Sequence, residues 1–395
     1  MIVFFIATFL IWFIAFAWTG RTLSVLRNLP KIPNLLDDKY AVSLPEDKQP
    51  FVSVIVPARN EAQAIEQTLR SLLAQQGVSV EVLAINDRST DGTGEIMDRV
   101  AAEKCAPGKS IRVLHVEDLP EGWMGKTHAM ALAARHASAP WFLFTDGDIL
   151  FREDCLRRAL NYAETETDHL VLFPTLISKS FGERMMLSAI QVLTMLAWRL
   201  WKVAEPKSRE SIGAGAFNLI RSDVYRRVGG FESLRMEVLE DLRLGYEVKH
   251  QGFRQRMAFG RDLARVHWAT GALGIGRNLT KNVFAVFHFK PWMLLGACLA
   301  IAVFCLMPVA GLFGPWAIRI GSLVTWSAAF LLFSYSARKF TGISSAYLVV
   351  FPVAACLLIY MIMRSMVVTL ACGGVVWRGT FYPLDALRRQ AGPLR

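Results

Sequence analysis

Four long apolar stretches frame one region in which hydrophobic and polar positions alternate in short, regular patterns. Ile2 to Trp18, Trp292 to Phe313, Ile320 to Ser336 and Ala346 to about Leu370 are nearly unbroken apolar runs, each near the ~20 residues that cross a bilayer. The region between them reads differently. Phe51–Val56, Val80–Asn86, Ile111–Val116, Trp141–Phe144 and His169–Phe173 are short apolar runs without helical period, which predicts strands of a sheet covered on both faces. Helical spacing separates them. Ile65, Leu69, Leu72 and Leu73 form one stripe, with Asn60 as its expected cap. Further helices are predicted after Thr93, from Thr127 to His136 and from Glu153 to Thr165. Strands alternating with helices predict an α/β fold, a Rossmann-like, mainly parallel, doubly wound sheet, accompanied by transmembrane helices.

The stretch Phe181–Val203 has apolar residues at helical spacing flanked by Arg184, Arg199, Lys202, Trp198 and Trp201. It suits a helix lying in a membrane interface or, equally, an ordinary core helix. The expected organisation is an anchor at 1–20, a proline-rich linker at 21–50, one domain at 51–290, transmembrane or re-entrant segments at 291–376 and a basic tail at 377–395.

Composition supports a membrane protein, since 53% of the 395 residues are hydrophobic, more than a water-soluble enzyme of this length carries. Arg21, Arg27 and Lys31 follow the first apolar stretch and none precedes it, the reverse of a cleavable signal peptide. The positive-inside rule then predicts an integral inner-membrane or plasma-membrane protein with its N-terminus outside and its domain in the cytoplasm. Three further crossings would leave Arg378, Arg388, Arg389 and Arg395 outside, against that rule; a re-entrant segment, either the first with Pro308 and the Gly311–Pro315 turn or the last with Arg364, would return the tail to the cytoplasm. The net charge of +11 is dispersed and gathers beside apolar segments, which favours anionic lipid over nucleic acid as partner. The six cysteines show neither a disulfide framework nor a zinc spacing.

The candidate chemistry sits at predicted strand ends. Asp146-Gly-Asp148 follows Trp141–Phe144, and two carboxylates one residue apart suit a hard divalent ion; alone, such a pair is more often an Asp-Gly turn. Pro57-Ala-Arg59-Asn-Glu61 ends the first strand and Asp87 the second, where ligands of open α/β sheets bind; by itself Asp87 reads equally as a helix cap. Lys126, after Gly122-Trp-Met-Gly125, has the reach to meet a phosphate or to be a solvated surface lysine. The loop Gly213–Asn218 allows close backbone approach. Glu240 and Asp241 begin a helix, where acidic residues also serve the helix dipole. Arg277 and Lys281 lie on one helical face, facing either a diphosphate or lipid headgroups.

Pro57–Glu61, Asp87-Arg-Ser-Thr-Asp-Gly-Thr93, Asp146-Gly-Asp148 and Glu240-Asp241, in this order, resemble family 2 glycosyltransferases, inverting enzymes of the GT-A fold, from about Phe51 to Arg256. The resemblance implies a UDP-sugar donor, with Asp87 at the uracil and Pro57, Arg59 and Glu61 lining its pocket. It implies Asp146 near the ribose and diphosphate, Asp148 (with Asp146) on Mg²⁺ or Mn²⁺, and Asp241 as catalytic base supported by Glu240. Asn86 departs from the paired aspartates of many members. Gly122-Trp-Met-Gly-Lys126-Thr-His-Ala and Trp377-Arg-Gly379 resemble a membrane-bound subgroup associated with hopanoids and carotenoids, which implies one hexose, glucose or a relative, moved to a lipid acceptor. The Gln-x-x-Arg-Trp string of processive synthases is missing, which favours single transfer over a polysaccharide or glycan synthase. A non-catalytic nucleotide-binding scaffold has no use for all four aspartates, and a transporter would place more charge than Arg364 within its apolar segments.

Overall fold

A computed structural model describes residues 1–45 and 48–392; Arg395 lies outside them. The chain divides into two compact units. One comprises Met1–Lys31, Ser178–Arg199 and Trp268–Val375; the other comprises Ile32–Ile177, Leu200–His267 and Val376–Arg395. Two pieces of the stretch 51–290 therefore group with the apolar helices, and the tail groups with the α/β unit.

The strands of the chain are β1 (Phe51–Ala58), β2 (Ser79–Asp87), β3 (Lys109–Val116), β4 (Trp141–Phe144), β5 (Leu150–Phe151), β6 (His169–Leu172), β7 (Thr175–Leu176), β8 (Asn218–Arg221), β9 (Gln255–Ala258), β10 (Ala264–Val266), β11 (Gly374–Trp377) and β12 (Thr380–Pro383). Seven of them form the central sheet in the order β3-β2-β1-β4-β8-β6-β9. β1 runs parallel to β2 and β4, and β2 to β3. β8 alone is antiparallel to both neighbours, β4 and β6. The sheet is thus mainly parallel, as expected, with β8 its one antiparallel strand. β4 shows why its composition predicts a central strand: Trp141 and Leu143 join one core with Val52, Val54, Leu69 and Leu156, while Phe142 and Phe144 join the other with Ile85, Ala133 and Tyr225. On the second side Phe144 meets Phe231 edge-on at 4.9 Å between centroids. Both faces are covered, so alternation disappears from the sequence.

The helix after β1 spans Ile65–Leu73 and buries Ile65, Leu69 and Leu72. Asn60 does not cap it. Asn60 adopts φ +57° and its side-chain oxygen instead accepts from the Thr90 amide at 2.8 Å, a left-handed conformation that asparagine tolerates better than most residues. Asp87 is likewise no helix cap: the helix Thr93–Ala101 begins at Gly92, and Asp91 accepts from the Thr93 amide at 3.1 Å.

In the other unit, four helices are long and apolar enough to cross a membrane: Ile2–Lys31, Pro291–Gly311, Trp316–Lys339 and Ser345–Ala371. Phe5, Phe9, Phe13 and Phe16 of the first are exposed, as expected for lipid-facing side chains. Polar groups tie these helices at their backbones: Thr22 donates to the Ala328 carbonyl at 3.0 Å and Trp18 to that of Phe304 at 2.9 Å. Arg364, within the last, donates to Thr280 Oγ1 at 2.7 Å. The helix Phe181–Ala197 starts on a capping box between Ser180 and Glu183. It ends earlier than its hydrophobic period suggests, because Arg21 takes the Met195 carbonyl at 2.6 Å and that of Trp198 as well, satisfying the last turn. Its residue Gln191 donates to Ser336 at 2.7 Å.

Candidate active site

The strand ends of the α/β unit bring together side chains far apart in the chain. Lys126, in the first turn of the helix Gly125–His136, lies between two carboxylates, 2.6 Å from Asp146 and 2.7 Å from Glu240. Burial would lower the lysine's pKa, but Asp146, Glu240 and Asp241 together outweigh it and hold the ammonium above its ordinary value. Glu240 is 5% exposed, and burial pushes its carboxyl up to about 7 against the pull of Lys126. Asp148 follows the same rule. Burial, reinforced by the Asp146 and Glu61 carboxylates, raises it to about 7. The cluster is thus short of positive charge near Asp148, the condition in which a bound cation is favoured.

Asp241 opens the helix Glu240–His250. Its Oδ2 accepts from the Gly215 amide at 2.8 Å and its Oδ1 from the Leu242 amide at 2.8 Å, which fixes the carboxylate without another side chain. The loop from Gly213 to Gly215 makes this approach possible. A Cβ on Gly213 would fall 1.8 Å from the Asp241 carbonyl oxygen, and one on Gly215 would fall 2.7 Å from Asp146 Oδ2. Gly213 meets backbone and admits no side chain, whereas a side chain at Gly215 would have to push the Asp146 carboxylate and the Lys126 ammonium aside.

The loop Pro57–Glu61 is joined to the loop after β2. The Asn60 amide donates to Ser89 at 3.0 Å, Glu61 to Thr93 at 2.8 Å and Ala62 to Asp91 at 3.1 Å. Asp87 is 4% exposed and pairs with Arg88, Nε to Oδ1 at 2.8 Å. Asn86, in place of a second aspartate, meets His115 at 3.1 Å. Arg277 and Lys281 lie on the helix Gly271–Val286 of the membrane-type unit. Among the described residues no three His, Cys, Asp or Glu side chains are grouped to hold a metal by themselves.

The family model described as Glycosyl transferase family 2 matches residues 53–242, from β1 to the helix that carries Asp241. This stretch is a family 2 glycosyltransferase domain. The 4,4'-diaponeurosporenoate glycosyltransferase of Staphylococcus aureus (strain USA300) is 29% identical over 199 residues, covering 49% of this chain and 50% of the relative. The chain therefore spans about half the length of the curated relatives it matches. A mannosyltransferase from Pyrobaculum calidifontis, solved with GDP-Man and Mn²⁺, aligns over 89% of this chain and 99% of its own, with TM-score 0.50 and 20% identity. Its likeness identifies the fold as GT-A.

The glycosyltransferase domain also engages residues that the sequence reading passed over. Arg88 was hidden inside a turn string. Arg378, Thr380 and Tyr382 lie more than 300 positions beyond Arg59 and Glu61, yet the structure brings them together. Arg378 donates to the Arg59 carbonyl and pairs with Glu61, Thr380 accepts from Arg59 Nη1 at 3.1 Å, and the Tyr382 hydroxyl accepts from the Gly125 amide at 3.2 Å. The Trp377-Arg-Gly string was the available signal, but it spoke to the resembled subgroup and not to a place beside Arg59 and Glu61.

Proposed function

We propose that the chain is a membrane-anchored, metal-dependent, inverting glycosyltransferase that moves one hexose, glucose or a relative, from a UDP-sugar to a lipid such as a carotenoid or hopanoid derivative. The observation that carries this reading is the Asp146–Lys126–Glu240 bridge with Asp241 beside it, set at the strand ends of a family 2 domain. Asp241 is the base. As the acceptor oxygen bonds to the anomeric carbon and the bond to the nucleoside diphosphate breaks, the acceptor proton passes to Asp241, a contribution of ~10²- to 10⁴-fold. Glu240 and Lys126 act through position: the lysine holds Asp146 and Glu240 together and keeps the floor of the site rigid. Asp87, with the Pro57–Glu61 loop, is read as the nucleoside pocket.

Asp148, with Asp146, would hold Mg²⁺ or Mn²⁺. The fit rests on Asp148, a largely buried carboxyl raised by neighbouring like charges. A site with so few protein carboxylates also suits an ion that takes its remaining ligands from substrate phosphate and water. Bound there, the ion neutralises the diphosphate.

The carotenoid-glycosylating relative and the four apolar helices support a lipid acceptor. Arg277 and Lys281 are assigned to anionic headgroups or to the donor's diphosphate. The domain is read as cytoplasmic and the N-terminus as external. A tail on the same side as the domain needs one of the three later apolar helices to be re-entrant, either Pro291–Gly311, interrupted by a π-helical turn at Ala302–Leu306, or Ser345–Ala371, which carries Arg364. Incubating the purified chain with UDP-sugars, Mn²⁺ and a total lipid extract tests the reading by product mass: one added hexose supports it, and a ladder of hexoses or no product with any donor contradicts it.

A further inference from the structure

The hairpin β11–β12 turns on two residues only, and both have positive φ: Arg378 at +47° and Gly379 at +80°. Such a turn follows the twist of a hairpin and strongly prefers Asn-Gly or Asp-Gly. Arginine in its first position is strained, because an L side chain there crowds the following carbonyl. Backbone strain at one residue calls for a role that its side chain performs.

That side chain ends at the proposed nucleotide loop, on Glu61 and the Arg59 carbonyl. Glu61 in turn packs against the Asp146-Gly-Asp148 turn, where a Cβ on Gly147 would fall 3.6 Å from Glu61 Cγ, so Arg378 stands one residue removed from the proposed diphosphate position. Arg59, Arg88 and Arg378 gather around Asp87 and Glu61; burial first, and then Arg88 and Arg378, act to lower the pKa of Arg59. Arg59 Nε is buried without a hydrogen-bond partner. Tyr382, 4% exposed, fastens the second strand of the hairpin to the Gly125 amide, at the start of the helix that carries Lys126. A cluster with three guanidinium groups and two carboxylates, one donor group unmet, is built to receive an anion.

Resting on the donor-site reading above, we infer that the hairpin supplies Arg378 to the diphosphate of the bound nucleotide, and that the donor site is incomplete without residues 376–392. In the ligand-free chain Glu61 and the Arg59 carbonyl hold the guanidinium in place. When a nucleoside diphosphate enters, its oxygens replace the Arg59 carbonyl as acceptors. Arginine suits this exchange because its planar fork serves a carboxylate and a phosphate at once.

Arg378→Asn is the decisive variant, since Asn-Gly is the preferred turn and leaves the hairpin at least as well formed. Calorimetry on the full chain in detergent, with Mn²⁺, compares UDP with uridine. The expected result is a loss of about tenfold to a hundredfold in UDP affinity, the scale of a hydrogen bond to a charged group, with uridine affinity unchanged within about twofold. Arg378→Lys recovers part of the UDP affinity. Equal losses for UDP and uridine would mean that the hairpin only shapes the pocket, and no loss for either would remove Arg378 from the site; both overturn the inference while leaving the donor-site reading intact. A wild-type chain that binds no UDP at all overturns both.

Discussion

Replacing Lys126 by methionine removes the cation between Asp146 and Glu240 while keeping an unbranched chain of similar length. The effect should depend on pH in a way that packing alone cannot imitate. In the folded wild type Glu240 keeps its proton up to about pH 7, whereas its ordinary value is 4.5. The folded state therefore binds the extra proton between these limits, and stability falls across that window at about 1.4 kcal/mol per pH unit, then levels off. The loss over this range is about 3 kcal/mol. Without Lys126 the carboxyl titrates higher still, so the decline continues past pH 7. The variant should then differ little from wild type at pH 6 and lag by roughly 3 kcal/mol at pH 9, within the ~3–5 kcal/mol that an unpaired buried charge costs. Asp146 is more exposed and is left out of this sum. Thermal unfolding of the full chain in detergent with EDTA, followed by tryptophan fluorescence at pH 6, 7, 8 and 9, reads the gap directly. A gap that stays constant, or widens toward acid, refutes the reasoning.

Other consequences follow from the same geometry. Gly213→Ala would drive a methyl group into the Asp241 carbonyl, since a Cβ there falls 1.8 Å from that oxygen; overpacking of this kind costs ~1–3 kcal/mol or more, so the variant should melt lower and lose transfer beyond its loss of folded protein, while Gly296→Ala, at a helical glycine with open space around it, disturbs the site not at all. Asp148→Ala should abolish the Mn²⁺-dependent part of UDP binding, as calorimetry with and without the ion would show. Because Asp148 holds its proton until about pH 7, a cation must displace that proton in acid; Mn²⁺ affinity should fall about tenfold per pH unit from 7 to 5 and be flat above 8. An affinity independent of pH would contradict this.

Much of the α/β unit was legible because its strands are buried on both faces and so leave continuous apolar runs, as β4 does. The antiparallel sense of β8 was not, since a four-residue strand carries no mark of its direction. Asn60 misled for a related reason. Asparagine suits a helix cap and a left-handed turn alike, and the contact that decides between them is with Thr90, thirty residues away. The aspartates were readable as local strings at strand ends, but their bridging by Lys126 was not, because residues 126, 146 and 240 meet only once the sheet is assembled. The hairpin was least legible of all: a basic tail after an apolar helix has an obvious explanation in membrane topology, and that explanation hid its contacts with the Pro57–Glu61 loop.

The central claim is that Asp241 takes the proton of the acceptor in a site that binds UDP-sugar independently of it. Asp241→Asn preserves the shape of the side chain and tests this most directly when transfer and UDP affinity are measured on the same preparation. The account predicts that transfer to lipid falls by at least ~100-fold while UDP binds within about twofold of wild type. Undiminished transfer by the Asp241→Asn protein would contradict it.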